Sequence, residues 1–235
     1  MGALRGFRSA LAAEAADIPP ITRARKRVSA GRHHILFSEV APVDSRLLAP
    51  PGLAHIPRMA ILKIARMGHP VLLQRAEPVP DPGAPEIRRL VRDMIETMED
   101  AQGAGLAAPQ VHVPLRLFVF RVPPGRTQPA EGDGEMGNTV VINPELEPVD
   151  DEMVLRWEGC LSIPGLRAAV PRRLRLRYTG VDTDGNPVGG FASGFHAGVV
   201  QHEYDHLDGI LYPMRMTDFR LFGFNEEIAR SGAMA

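Results

Sequence analysis

A single cysteine, Cys160, is all the thiol chemistry this 235-residue chain holds. One cysteine excludes an internal disulfide, and a reducing compartment suits such a chain best. Excess charge of either sign is also missing. With 27 basic and 28 acidic side chains the formal net charge is −1, so charge balance gives no reason to expect a nucleic-acid partner. No apolar run approaches the roughly 20 residues that a membrane-crossing helix needs, which argues against a membrane protein. No repeat period is visible. What is present is a hydrophobic content of 44%, enough for one fair-sized domain with a proper core.

The composition changes near Met59. Residues 1–58 carry nine Lys or Arg against four acids, whereas the remainder carries eighteen against twenty-four. Pro19-Pro20 and Pro50-Pro51-Gly52 interrupt the first part, and no sustained amphipathic period runs through it. An Arg-rich start resembles an organellar transit peptide, but Glu14 and Asp17 speak against that, and no long apolar stretch marks a secretory signal. The expectation is a poorly ordered extension over 1–58 and a catalytic domain over 59–235. The basic cluster Arg23–Arg27 reads as a solvated charge run.

Beyond Met59 the text is mixed. Ile87, Leu90, Val91, Met94, Ile95 and Met98 recur at helical spacing, with Asp81-Pro82 before them and Gly103 after, which predicts a helix over 86–100. "LRLFVFRV" (115–122), "TVVINP" (139–144) and "LRLRYTGVD" (174–182) read as strands. Asp184-Gly185 offers a turn into a further short strand. "GFHAGVVQHEYDHLDG" (194–209) reads as a helix closed by Gly209. Sequence-adjacent strands with a helix before and after favour an α+β fold.

Within that last helix, "QHEYDH" sets His202 and His206 four residues apart, with Glu203 directly after the first. Four residues turn a helix through about 400°, so the two imidazoles share a face and can grip one divalent cation. The neighbouring carboxylate is placed to move protons for water activated there. A catalytic site of this kind usually needs a third protein ligand. The position six after His206, where one zinc-protease pattern puts a third His, holds Tyr212. Glu226 and Glu227, twenty and twenty-one residues downstream, keep a gluzincin-like peptidase open. Cys160 in "EGCLS" (158–162) is the remaining candidate, because a thiolate binds zinc or ferrous iron strongly. Its Gly-rich setting suits an unusual backbone turn better than packing within an element. A further stretch, "GAGLAAPQ" (103–110), has two glycines that admit close backbone approach and ends on the amide donor of Gln110. The other histidines carry no comparable signal. His33, His34 and His55 lie in the arm, His69 precedes Pro70, and His196 is rotated off the ligand face. For His112 a place supporting the site is the minority reading.

The three segments "GAGLAAPQ", "EGCLS" and "QHEYDH", in that order, resemble the signature motifs of the peptide deformylases, GxGxAAxQ, EGCxS and HExDH. The opening "ILKIARMGHPVLLQRAEPV" adds to the likeness, which runs from about Met59 to Phe224 and leaves residues 1–58 uncovered. Leu161 resembles the bacterial and plant-type second motif. The resemblance implies antiparallel sheets packed around a central helix that carries the HExxH motif. It also implies removal of the formyl group from the N-terminal formylmethionine of newly made polypeptides. Cys160, His202 and His206 would then be the metal ligands and Glu203 the proton carrier. The Gln110 amide and the Leu161 backbone N–H would face the developing oxyanion. Gly105 would bond the peptide main chain, and Arg167 would lie near its downstream end. Ferrous iron is the implied ion, though such a ligand set also accepts zinc, nickel or cobalt. Nascent formylmethionyl chains are the implied partner, in the bacterial cytoplasm or, if residues 1–58 act as a transit peptide, in an organelle. The C-terminal "DFRLFGFNEEIARSGAMA" has few basic residues and suggests no ribosome-docking helix. A non-catalytic formyl-peptide binder is the rival of another class, and intact Glu203 and Gln110 argue against it. Three positions depart from the usual bacterial pattern. Arg156-Trp157 and Gly198 stand where larger aliphatic residues are common, which leaves the size of the methionine pocket open.

Overall fold

The computed structural model describes residues 60–232; the 1–58 arm, with its basic cluster and the Met59 boundary, lies outside them. The first helix, α1 (Pro85–Asp100), follows the predicted stripe: Ile87, Val91, Met94 and Met98 are buried. Proline at its first position suits the helix start, where an N–H would go unpaired in any case. Eight strands follow: β1 (Gly105–Ala107), β2 (Leu117–Val122), β3 (Met136–Pro148), β4 (Met153–Cys160), β5 (Ile163–Arg173), β6 (Arg175–Val181), β7 (Pro187–Ser193) and β8 (Phe222–Phe224). The second helix, α2 (Gly194–Leu207), lies between β7 and β8, and a short α3 (Asn225–Ser231) closes the described chain.

The strands form two sheets, β1-β2-β3-β6-β7 and β4-β5-β8, and every pairing between them is antiparallel. β2 explains why "LRLFVFRV" is apolar almost throughout. Leu117 and Val119 pack with Met94 and Met98 of α1, while Phe118 and Phe120 pack with Ala197, Val200 and Leu207 of α2. A strand covered on both faces needs hydrophobic residues at both parities. The second sheet has its own core, in which Ile163, Ala168 and Val170 meet Leu72, Leu211 and Tyr212. Helix α2 touches β1, β2, β6 and β7 of the large sheet and β5 of the small one. It is therefore the central helix, and the α+β expectation holds.

Three points differ from the expectations. β3 is longer than the predicted 139–144, and its register shifts between Ile142 and Glu145. Asn143 takes φ 51° there, and its side chain bonds both the N–H and the carbonyl of Val79. The β4–β5 hairpin was not predicted at all. Its Gly159, Pro164, Gly165 and Pro171 look like turn punctuation, and most of β4 is only half-buried. The turn expected around Cys160 comes one residue later, with Cys160 closing β4 opposite Ile163 after a break in register.

Candidate metal centre and peptide cleft

Helix α2 is buried around most of its circumference, and this takes its polar residues into the interior. Its start is secured from outside. One Asp133 carboxylate oxygen, on the β2–β3 loop, accepts from the N–H groups of Phe195 (3.0 Å) and His196 (3.3 Å). This satisfies two of the donors that a helix N-terminus leaves unpaired. Gly194 has φ 55°, and any Cβ on it would lie 2.9 Å from Cβ of Asp133. At the other end Gly209 takes φ 71°, the left-handed stop expected from sequence.

Cys160, His202 and His206 bring one ligand atom each to within 4.8 Å of one another. Sγ of Cys160 is 3.3 Å from Nε2 of His206. It also receives the Ser162 N–H at 3.4 Å and the Gln110 amide at 3.5 Å. Gln110 is fixed at both ends. Its oxygen accepts from the Ala107 N–H at 2.8 Å, and its nitrogen donates to Oγ of Ser162 at 3.1 Å. His202 is oriented by Glu158, whose carboxylate lies 2.8 Å from Nδ1. That contact directs Nε2, the other ring nitrogen, to the cluster. One thiol and two imidazoles converge here, His202 held through its other nitrogen by Glu158, and they fit a divalent cation of borderline softness.

Behind His202 runs a chain of ion pairs. Arg172 grips Glu158 with two nitrogens, at 2.6 and 3.0 Å, and reaches Asp205 at 2.6 Å. Arg215 then pairs with the other oxygen of Asp205 at 2.6 Å. Burial works against the Glu158 charge, but Arg172 and His202 outweigh it and hold the carboxyl at about 2. Burial would likewise push the Cys160 thiol up, yet the His206 and His202 imidazoles keep it well below its ordinary value. A thiol held so is a ready thiolate ligand. Glu203 behaves in the opposite way: burial raises its carboxyl to about 7, near the working pH for proton transfer. One of its oxygens is buried with no hydrogen-bond partner.

These groups open on a cleft of about 630 Å³ lined by Gly105, Gln110, Leu161, Arg167, His202 and Glu203, among others. Cys160 lines it as well, so the residues that the resemblance assigned to catalysis and peptide binding share one cleft, with His206 joining Cys160 and His202 in the ligand cluster. Gly105 also has a close neighbour within the protein. The group pressed against it is Glu203, whose oxygen would lie 2.2 Å from any Cβ there. Arg167 donates to Asn225 at 2.8 Å on the cleft wall. Glu226 and Glu227 are exposed on α3, Glu227 pairs with Arg230, and neither joins the Cys/His cluster, so the gluzincin arrangement is not formed. His196 stacks on Phe120 inside the core, and His112 stands exposed, edge-on to His69. Sequence reasoning missed Asp133, Arg172, Arg215 and Tyr212, whose ring stacks on His202 at 6.2 Å. Only Tyr212 lies near a motif, and its spacing from His206 marked the position as a possible third ligand, not as a ring stacked on His202.

Comparison with known proteins agrees with this arrangement. Residues 61–221 match the model of the family described as polypeptide deformylase. Peptide deformylase 2 of Ralstonia nicotianae is 51% identical over 166 residues, covering 71% of this chain and 93% of that protein. Peptide deformylase 1 of Nitrosomonas europaea is 50% identical, covering 72% and 94%. A solved class I type b peptide deformylase from Acinetobacter baumannii, bound to Met-Ala-Ser, superposes with a TM-score of 0.61 at 34% identity, covering 67% of this chain and 99% of that one. With the signature residues gathered in one cleft and half of all aligned positions identical to such relatives, the chain belongs to the polypeptide deformylase family.

Proposed function

We infer that this cleft carries out the family's reaction, hydrolysis of the formyl amide on the N-terminal formylmethionine of newly made polypeptides, with each residue in the role its surroundings suit. Cys160, His202 and His206 hold the metal, ferrous iron by family likeness, with zinc, nickel or cobalt also compatible with the ligand set. Once bound, that ion supplies Lewis acidity toward water and the formyl carbonyl. Glu203, raised to about 7 and packed against Gly105, takes a proton from the attacking water and returns it to the departing amine. The Gln110 amide, already aimed at the cluster, and the Leu161 backbone N–H receive the charge that builds on the carbonyl oxygen. Gly105, at the start of the short edge strand β1, offers main-chain groups to an extended peptide. Arg167 lies further along the cleft. The Met-Ala-Ser held by the Acinetobacter baumannii enzyme suits such an extended product.

Residues 1–58 are read as an extension to a catalytic domain starting at Met59. The setting that fits this reading is the bacterial cytoplasm, or an organelle if residues 1–58 act as a transit peptide. Among the described residues no helix is long and apolar enough to cross a membrane.

The observation that carries the residue roles is the convergence of one sulfur and two ring nitrogens within 4.8 Å. Anaerobically prepared protein is expected to release formate from formyl-Met-Ala-Ser. Cys160→Ala should lose the metal and the activity together. Glu203→Ala should keep the metal yet lose about 10²-fold or more in turnover. Full metal content in Cys160→Ala would refute the ligand assignment.

A further inference from the structure

The short 3-10 turn that follows α2, Tyr212–Arg215, has no role in the reaction described above, yet it reaches His202 by two routes. The Tyr212 ring stacks on the imidazole, with centroids 6.2 Å apart and planes 26° from parallel. Arg215 approaches from behind. Its Nη2 donates to Oδ1 of Asp205 at 2.6 Å and its Nε to Oδ2 at 3.2 Å. Oδ2 also accepts from Nη1 of Arg172 at 2.6 Å. The other two nitrogens of Arg172 hold Glu158, the carboxylate on Nδ1 of His202. Arg172, Glu158 and Asp205 are buried, whereas the Arg215 side chain is 45% exposed. Gln201, Tyr204 and Asp205 of α2 line a separate cavity of about 280 Å³ together with Arg172 and Arg215, while Gly198, His202 and Glu203 line the cleft. The chain of charges thus runs from a metal ligand to solvent on another face of the helix.

The pairing is balanced only as a set. Two buried carboxylates share two guanidiniums, so their charges cancel. Arg172 can divide its three nitrogens between Glu158 and Asp205 because Arg215 supplies Asp205 with the remaining donors. Among the described residues Oδ1 of Asp205 has no donor other than Nη2 of Arg215. Without that donor a buried carboxylate oxygen is left unpaired, which carries its full desolvation cost. Arg172 is then drawn toward both oxygens of Asp205 at the expense of its bonds to Glu158. Glu158 is the group that turns Nε2 of His202 to the cluster, so a loosened Glu158 frees the imidazole to rotate. An exposed ion pair would have little such leverage. Here the partner of the exposed arginine is itself buried, and removing one member of such a pair is felt by everything bonded to the other.

We propose that Arg215 is a positioning residue for the metal centre: by completing the bonds of Asp205 it keeps Arg172 on Glu158, and so fixes the His202 ring for metal binding and turnover. The turnover part rests on the deformylase reading, and the test reads metal affinity separately. Full-chain protein is titrated anaerobically with Zn2+ and with Co2+ against a chromophoric chelator. Arg215→Ala should bind both ions about tenfold more weakly, the lower end of what losing an outer partner of a metal ligand costs. The visible absorption of the Co2+ protein, which reports the geometry of the sulfur and nitrogen ligands, should shift. With metal saturating, kcat for formate release from formyl-Met-Ala-Ser should fall several-fold while KM changes little. Arg215→Lys, which can bond one oxygen of Asp205 but not both, should lie between. In an Asp205→Asn background Arg215→Ala should add little, because both changes break the same chain. Wild-type affinity and an unchanged Co2+ spectrum in Arg215→Ala would overturn the proposal even if that variant melts lower, as would full additivity with Asp205→Asn. Wild-type protein that binds metal but releases no formate would overturn the deformylase reading alone, and the affinities would still decide this one. If Arg215→Ala does not fold, Arg215→Gln, which keeps the stem and loses the charge, carries the same comparison with the same overturning result.

Discussion

Glu203 and Gly105 show how little room separates this site from an inactive one. The carboxylate is buried, and the missing Cβ of Gly105 is what lets it stand there. Alanine at 105 would put a carbon 2.2 Å from Oε1 and 2.7 Å from Cγ of Glu203. With the surroundings closed, the carboxylate must move, and a misplacement of about 1 Å can cost on the order of 10² in rate. Gly105→Ala is therefore expected to retain the metal by elemental analysis while kcat falls about 100-fold. Unchanged kcat would show that the carboxylate has somewhere else to go. The need for close approach at Gly105 was legible in the sequence; that Glu203 also packs against it depends on α2 lying against β1.

Among the elements, α2 bears the most. It carries both histidines and Glu203, and the residue that supports its start, Asp133, lies 62 positions from Phe195. Replacing Asp133 by alanine leaves two N-terminal donors unpaired, at a cost of about 1–2 kcal/mol. Thermal unfolding should drop by several degrees, with part of the loss appearing as weaker substrate binding because the β2–β3 loop is released as well. A melting temperature equal to wild type would mean that Ser193 or water takes over the cap. Helix α2 itself was visible in the sequence from its motif and Gly209. Its distant cap was not, because no local pattern marks a residue supplied from another loop. The β4–β5 hairpin escaped for a related reason. Its pairing partners lie across the turn, and glycine and proline within the strands imitate loop signals.

For the whole molecule, the buried chain from His202 through Glu158, Arg172 and Asp205 to Arg215 ties β4, β5 and α2 to the segment after it. Glu158 is lowered from 4.5 to about 2. A depressed carboxyl contributes stability that is fully present above its unfolded value and lost as pH falls through its folded value. The window is thus pH 4.5 down to about 2, and the contribution is on the order of 3 kcal/mol. Denaturant unfolding of chelator-treated protein should show that loss on acidification across the window. Glu158→Gln, less stable at pH 6, should show a shallower acid slope. Equal slopes would assign the acid sensitivity to other carboxyls.

Residue types and their order alone determined the chemistry. A sulfur, two imidazoles one helical turn apart, a carboxylate beside them and an amide in a glycine-rich stretch are local facts that survive in any linear reading. The α+β class followed from periodicity for the same reason, since each helix or strand writes its buried face into its own residues. What only the tertiary structure decided is how those groups are held and what surrounds them: Glu203 against Gly105, His202 backed by Glu158 and Arg172, Arg156 laid across Gly198. Each of these joins residues dozens of positions apart, and the energy that fixes them, burial of charge offset by a partner on another strand, exists only once the two sheets have closed on α2.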